Sequence, residues 1–354
     1  MANTSFASSD PLTIKKWSVV LFKQALHDIF FGKFVGPSDK DIIQTKTDLT
    51  KDKGDKIAFG LRMKLSGAGV TDDDDIEGSE EAMVYYDFLT TLHLRANGVK
   101  AAGKMTLRRT AFDIKSDAKN ALADWMKEII DEDTVYALSG IANAAGTIAA
   151  NAPSTNRRWY GGQTTGGVVE SVANDAAIDS STDNLFGTKV ISLIKRKAQL
   201  ATPKIRPVSV DGKDWYVIFV HPYQVKALKE EAVWLQAQRE ANIRGLKNPI
   251  FSGATGVWDN VIIHEYDQIL TRAATEHFES GDAIFTGMNV ARALFCGAQA
   301  GVHAYGQYPG WYEKMFQYKR VPGVATDVIL ACEKTKFNNQ DFGEITVDTA
   351  YVGD

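Results

Sequence analysis

Ile57-Ala-Phe-Gly-Leu-Arg-Met-Lys-Leu65 alternates apolar with polar or small residues, placing Ile57, Phe59, Leu61, Met63 and Leu65 on one face. A second run, Val84 to Leu94, does the same with Val84, Tyr86, Phe88, Leu92 and Leu94. Period-two alternation marks a strand with one buried face. Between the runs lie Ser66-Gly-Ala-Gly-Val70, then Asp72, Asp73, Asp74 and Asp75, then Gly78. The pattern predicts a long β-hairpin with an acidic tip. Nine residues extend about 30 Å at ~3.3 Å each, against about five or six residues in an ordinary strand. A two-stranded ribbon of that length is marginal in water by itself. Its stripe needs a platform, and no adjacent stretch of the chain offers one. The expected platform is another copy of the chain.

Composition narrows the function classes. The 354 residues can bury a substantial core and are enough for two or three domains, and 44% hydrophobic with 24% charged is ordinary for a soluble folded protein. The formal net charge of −4 leaves no global basic footprint, which argues against specific nucleic-acid binding but not against a shell that encloses nucleic acid without gripping it. Cys296 and Cys332 make neither a disulfide framework nor a metal-ligand spacing and are read as thiols in a reducing compartment. No signal peptide and no run of about 18 apolar residues is visible, so no membrane association is expected.

Along the chain, Ile14 to Phe31 carries Trp17, Val20, Leu21, Ala25, Ile29 and Phe30 at helical spacing, followed by an extended stretch to Lys56. This reads either as an arm that depends on contacts elsewhere or as a helix packed on its own domain. Asn97-Gly98 and Gly103 mark turns. A helix is predicted from an Asp113 cap to Ser139, its stripe formed by Ile114, Ala118, Ala121, Leu122, Trp125, Ile129 and Tyr136, with Asp131 off the stripe. Residues 140–184 are rich in Ala, Gly, Asn, Ser and Thr and read as a flexible loop with little apolar burial. Leu185 to Leu200 resumes helical spacing. Trp215 to Val220 is a continuous apolar run, expected of a strand covered on both faces, and His221-Pro222 ends it. Gln224 to Arg244 reads as one helix, Val261 to Ile263 as a short buried strand, Gly281 to Gly310 as a glycine-punctuated segment. Strands at Asp327 to Cys332 and Gly343 to Val352 close the chain.

A search for chemistry returns little. There is no phosphate loop, no nucleophile elbow and no H-E-x-x-H. The four consecutive aspartates lack calcium-loop spacing and read as a solvated tip, for which a basic surface on a neighbour is the natural complement. His221 and His264-Glu265 read as structural hydrogen-bonders. Arg157-Arg158-Trp159-Tyr160 suits either stacking on a base or an inter-subunit contact. No catalytic residue, cofactor or metal is expected. The candidate set is therefore one of inter-subunit contacts: the two hairpin faces, Asp72 to Asp75, and Arg157, Arg158 and Trp159.

At Asn248-Pro-Ile-Phe-Ser-Gly-Ala-Thr-Gly256, followed by Val257-Trp-Asp-Asn-Val-Ile-Ile-His-Glu265, the chain resembles the major capsid proteins of tailed phages grouped with that of coliphage N-four. Phe6-Ala-Ser-Ser-Asp-Pro-Leu12, Lys53-Gly-Asp-Lys-Ile57, Val217-Ile-Phe-Val-His-Pro222 and Leu294-Phe-Cys-Gly-Ala-Gln-Ala-Gly301 extend the resemblance to about residue 310. It implies an α+β chain with the Hong Kong 97-like capsid fold. Its parts would be an N-terminal arm (1–50), an extended hairpin loop (51–112) and a peripheral domain with a long spine helix and flexible loop (113–186). An axial domain (187–325) and C-terminal strands returning to the peripheral domain (326–354) would complete it. The extended loop would lie across the adjacent subunit. No residues match the autocatalytic cross-link of the fold's namesake. The implied partners are further copies of the chain as pentamers and hexamers in an icosahedral shell around double-stranded DNA. Portal, scaffold and decoration proteins are candidates, and assembly would take place in the cytoplasm of a bacterial host. A nanocompartment shell around a cargo enzyme and a soluble α/β enzyme with a scattered site are the alternatives.

Overall fold

The computed structural model describes residues 29–50, 54–72, 75–103, 105, 114–165, 168–179, 181–210, 212–240, 254–279, 285, 288–318 and 320–353. Most of the arm helix, Asp73, Asp74, the Asp113 cap and the first part of the 248–256 block lie outside them. Along the chain run β1 (Ile43–Lys46), β2 (Lys56–Arg62), β3 (Tyr85–Thr91), β4 (His93–Lys100), helix α1 (Ile114–Ser139) and β5 (Arg158–Tyr160). Helix α2 (Thr188–Leu200), β6 (Lys213–Val220) and helices α3 (Pro222–Glu230) and α4 (Ala232–Glu240) follow. Then come β7 (Gly256–Trp258), β8 (Val261–Glu265), β9 (Asn289–Cys296), β10 (Gly301–Phe316), β11 (Val321–Lys334) and β12 (Glu344–Tyr351), with shorter pieces between.

Two sheets organise these elements. A five-stranded sheet has the order Val35–Gly36, β1, β10, β11, β4. An eight-stranded sheet runs β7-β8-β6-β9-β12-β5, with Val208–Val210 on β6 and Thr271–Arg272 on β9. The continuous apolar run of β6 is covered on both faces, as its composition demands. Trp215, Val217 and Phe219 join a cluster with Met126, Ile130 and Leu138 of α1. Tyr216, Ile218 and Val220 join another with Ile191 and Ile194 of α2 and Val225 and Leu228 of α3. His221 caps α3: its backbone N–H donates to Gln224 Oε1 (3.0 Å) and its Nδ1 accepts from the Tyr223 N–H (3.3 Å).

Several expectations are corrected. Helix α1 does end at Gly140 as expected, where a φ of +74° suits glycine, but its buried face differs. Of the predicted stripe, Ala118 and Leu122 are buried, whereas Ala121 is exposed and Trp125, Ile129 and Tyr136 are half-buried. The last turns lie among both sheets, so burial there runs round the helix and takes in Asp131 and Asp133. Residues 140–184 are not an apolar-poor loop: Ile141, Ile148, Trp159, Val172 and Ile178 are buried, and β5 pairs with β12. The 224–244 helix breaks at Glu231, whose carboxylate accepts from the Thr188 N–H (2.7 Å) and hydroxyl (2.6 Å) and so caps α2. Asn97-Gly98 is not a turn but part of β4. A domain division at 325/326 would cut through β11, which pairs with β10 along its length. The final strand β12 lies between β9 and β5 in the eight-stranded sheet, not beside β11.

Candidate inter-subunit surface

Strands β2 and β3 form the predicted hairpin, with Ile57 opposite Thr90, Phe59 opposite Phe88 and Leu61 opposite Tyr86. The Met63 N–H still donates to the Val84 carbonyl (2.9 Å), and beyond it the described residues between 64 and 83 are outside the ladder. The base of this ribbon has a platform within the chain. Ile57 is buried against Val302, Ala304 and Ala331, the Phe88 ring meets Phe337 at 6.0 Å, and the Thr91 N–H donates to Glu333 Oε1 (3.4 Å). A cleft of about 320 Å³ is lined by Ile57 to Leu61 on the ribbon and by Gln44, Lys46, Val302 and Phe337 of the body. The expectation that only another copy could cover the stripe is thus corrected for Ile57 and Phe88. The platform comes from β10 and β11, some 250 residues further along the chain, and left no local signal.

The cover runs out along the ribbon. Phe59, Leu61, Met63 and Tyr86 are half-buried, while Leu65 (52%) and Val84 (46%) are exposed. The opposite face carries Tyr85 (59% exposed) and Leu89 (51%), which the alternation had assigned to the polar side. Two-sided apolar character was visible in those residues and was the missed signal. The second run is also two strands rather than one: Leu94 belongs to β4, paired with Ile329 of β11, and is exposed. At the tip, Asp72 (φ +54°) and Asp75 face solvent. Glu81 closes the loop, its carboxylate accepting from the Ser66 and Gly67 N–H groups at 2.7 Å each, which holds its pKa below the usual carboxylate range.

The Arg157-Arg158-Trp159 cluster is not a surface contact. All three residues are buried at the edge of the eight-stranded sheet. Arg157 Nε donates to the Asp341 carbonyl (3.0 Å) and its Nη2 to the Pro203 carbonyl; Trp159 Nε1 donates to the Gly161 carbonyl. Arg158 pairs with Glu279 (3.3 Å) and Asp348 (3.9 Å). Sequence composition could not separate an interface cluster from a buried one, because both use Arg and Trp.

Beside that cluster lies the most charged part of the interior. Arg292 of β9 is fully buried and meets Asp348 of β12 bidentately, Nε to Oδ1 (2.7 Å) and Nη2 to Oδ2 (2.8 Å). Its Nη1 donates to Glu279 (2.7 Å) and to the Ser139 carbonyl at the end of α1 (3.1 Å). Burial opposes its charge, but the two carboxylates more than offset that and raise its pKa. This is a structural bracket between helix and sheet, not a reactive constellation. His264 is enclosed by the rings of Phe30, Phe34 and Phe219. Among the described residues no group of three or more His, Cys, Asp or Glu side chains could hold a metal ion, and no helix is long and apolar enough to cross a membrane.

Comparison with known proteins agrees with this geometry. A family model described as phage capsid protein matches residues 5–352. The chain is similar to a major capsid protein of Pseudomonas phage KPP25, 28% identical over 361 aligned positions that cover 94% of each chain. Among solved structures it is similar to the capsid of Ralstonia phage GP4, with a TM-score of 0.79, 28% identity, and coverage of 99% of this chain and 96% of that one. The capsid of cyanophage Pam1 matches with a TM-score of 0.73 and 26% identity, covering 92% of each chain. A Helicobacter pylori phage KHP30 capsid shares the fold at a TM-score of 0.68, with 14% identity over 90% of each chain.

Proposed function

The chain belongs to the phage capsid protein family, and from that premise we propose how it builds a shell. It is a major capsid protein of a tailed phage, a structural component of the virion with the Hong Kong 97-like α+β fold, and its copies associate into a shell. Our reading adds that the copies form pentamers and hexamers of an icosahedral cage around double-stranded DNA, assembled in the host cytoplasm. Portal, scaffold or decoration proteins would join it there. The five-stranded sheet with α1 serves as the peripheral body and the eight-stranded sheet as the axial body that clusters around the symmetry axes. The finer kinship we propose is with the coliphage N-four group.

One observation carries the assembly mechanism. The hairpin is anchored on its own body at Ile57 and Phe88, yet presents apolar side chains on both faces further out. Such a ribbon gains by burying them on a neighbour, at roughly 25 cal/mol per Å² of apolar surface. A net charge of −4 suits an enclosing wall, since a strongly basic lining would hold DNA and impede its packing and release. Deleting Ser66–Glu81 from the full chain is expected to leave a folded, soluble subunit that forms no particles in electron micrographs. Intact particles from that deletion would refute the mechanism.

A further inference from the structure

We propose that the chain closes an amide bond within itself, between Lys334 Nζ and Asp341 Cγ, with Glu344 carrying the protons. No contact between copies enters, so the inference stands apart from the capsid reading.

The three side chains meet where the chain passes from one sheet to the other. Lys334 is the last residue of β11 in the five-stranded sheet, and Glu344 the first of β12 in the eight-stranded one. Between them Lys336–Phe337 pairs with Gln340–Asp341, turning at Asn338 and Asn339 (φ +50° and +58°). The Phe342 N–H extends the pairing by donating to the Thr335 carbonyl (3.0 Å). Lys336 stands opposite Asp341, so Lys334, two residues back, is the diagonal neighbour of Asp341 on one face. Asp341 is fixed from several sides. Its N–H donates to Ser154 Oγ (2.7 Å), its Oδ2 accepts from the Ser154 N–H (2.8 Å), and its carbonyl accepts from Arg157 Nε (3.0 Å). Lys334 Nζ lies 3.3 Å from the other oxygen, Oδ1.

A buried ion pair ordinarily satisfies its charges with hydrogen bonds. This one does not. Among the described residues Lys334 Nζ, Asp341 Oδ1 and both carboxyl oxygens of Glu344 are buried without one. Nζ therefore sits within about 3–3.5 Å of the Asp341 carboxyl group, the range of groups poised to react, without being tied up by it. Burial pushes the Lys334 amine down from its ordinary pKa, with Asp341 and Glu344 offsetting part of that, and pushes the Glu344 carboxyl well up. The site thus favours a neutral amine beside a protonated acid. The groups that face Glu344 are Lys334, Asp341, Arg292 and the Cys296 thiol opposite it on β9. A Cβ on Gly140 would lie 2.9 Å from Lys334 Nζ, so the glycine that ends α1 leaves the amine its room.

The step balances with no further reactant. The Nζ lone pair attacks Asp341 Cγ while the Ser154 N–H holds Oδ2 as it gains negative charge. Glu344, directly or through one water, takes a proton from Nζ and passes one to Oδ1. The Cγ–Oδ1 bond breaks and water leaves. Ammonium and carboxylate become amide and water, and two buried charges disappear from an interior that carries them at a cost. The product braces the end of β11 to the approach to β12.

Peptide masses of the full-length chain, expressed without other phage proteins and digested with trypsin, test this. Trypsin cuts after Lys336 but not after an acylated Lys334. The expected product is residues 321–336 joined to 337–354, lighter by one water than the two peptides apart. Asp341→Asn should reach the identical joined peptide by losing ammonia instead of water, and Lys334→Arg should give none. Glu344→Gln, checked for folding by circular dichroism, is expected to slow the reaction about a hundredfold, leaving fresh protein open. Wild-type peptides found only at their separate masses overturn the proposal, whether or not the chain forms shells. So does a link that fragment ions place at other residues, a joined peptide from K334R, or folded E344Q condensing as fast as wild type.

Discussion

Replacing Arg292 by Met should be among the most damaging single changes in the chain, and the structure says roughly by how much. The substitution leaves Asp348 and Glu279 without their main cation in a buried site. Breaking one side of a buried ion pair costs about 3–5 kcal/mol. Arg158, 3.3 Å from Glu279 and 3.9 Å from Asp348, remains to share the load, so the lower end of that range, about 3 kcal/mol, applies. The Ser139 carbonyl loses a charged donor as well, adding about 1 kcal/mol. A total near 4 kcal/mol is a large share of the about 5–15 kcal/mol that holds a typical domain together. Urea unfolding of dissociated subunits, followed by tryptophan fluorescence, measures it. The decisive variant is Arg292→Met with Asp348→Leu, because an apolar pair of similar volume is often nearly neutral. The double variant should be more stable than either single one, with a coupling of at least about 2 kcal/mol. Strict additivity of the two losses would refute the bracket as an energetic unit.

Three further outcomes follow from the same geometry. Asp131 accepts the N–H groups of Phe30 (2.9 Å) and Phe31 (3.2 Å), yet burial raises its pKa from 3.8 to about 6. Its protonation therefore contributes stability that is fully present below pH 3.8 and lost as pH rises through about 6, so wild type should gain on Asp131→Asn as pH falls from 7 to 4; parallel stability curves would contradict this. Glu231→Gln weakens the cap of α2 at Thr188 and should cost about 1 kcal/mol in chemical denaturation, with no change in the assembled particle. Gly140→Ala meets both a left-handed backbone and the Asn151 carbonyl, and should lower the unfolding free energy measured in urea by more than about 1 kcal/mol; a neutral result would show that α1 can end another way.

Much of the fold was legible wherever one local rule acted alone. The two-faced apolar run of β6, the hairpin alternation at Ile57 to Leu61 and the glycine stop at Gly140 each reported a single constraint that the structure honours. Legibility failed where distant segments supplied the environment. Asp131 reads as a surface acid on its own helix and is buried because the chain near Phe30 and Phe31 crosses over it. Arg157 and Arg158 read as interface cations and are buried because carboxylates and carbonyls from 279, 341 and 348 surround them. The platform under Ile57 was invisible for the same reason.

Strand β1 at residues 43–46 finds its partner only at 301–304, and β5 at 158–160 only at 346–348. The five-stranded sheet and the β12–β5 edge of the eight-stranded sheet therefore wait on the last sixth of the polypeptide to leave the ribosome, whereas β6, β7, β8 and β9 can pair before it. Until then β1, β4 and β5 lack their main partners, and pairings so remote in sequence are slow to form and leave edges prone to clump at the abundance a virion wall requires. A chain that stops short of β10 is thus expected to lack the five-stranded sheet altogether.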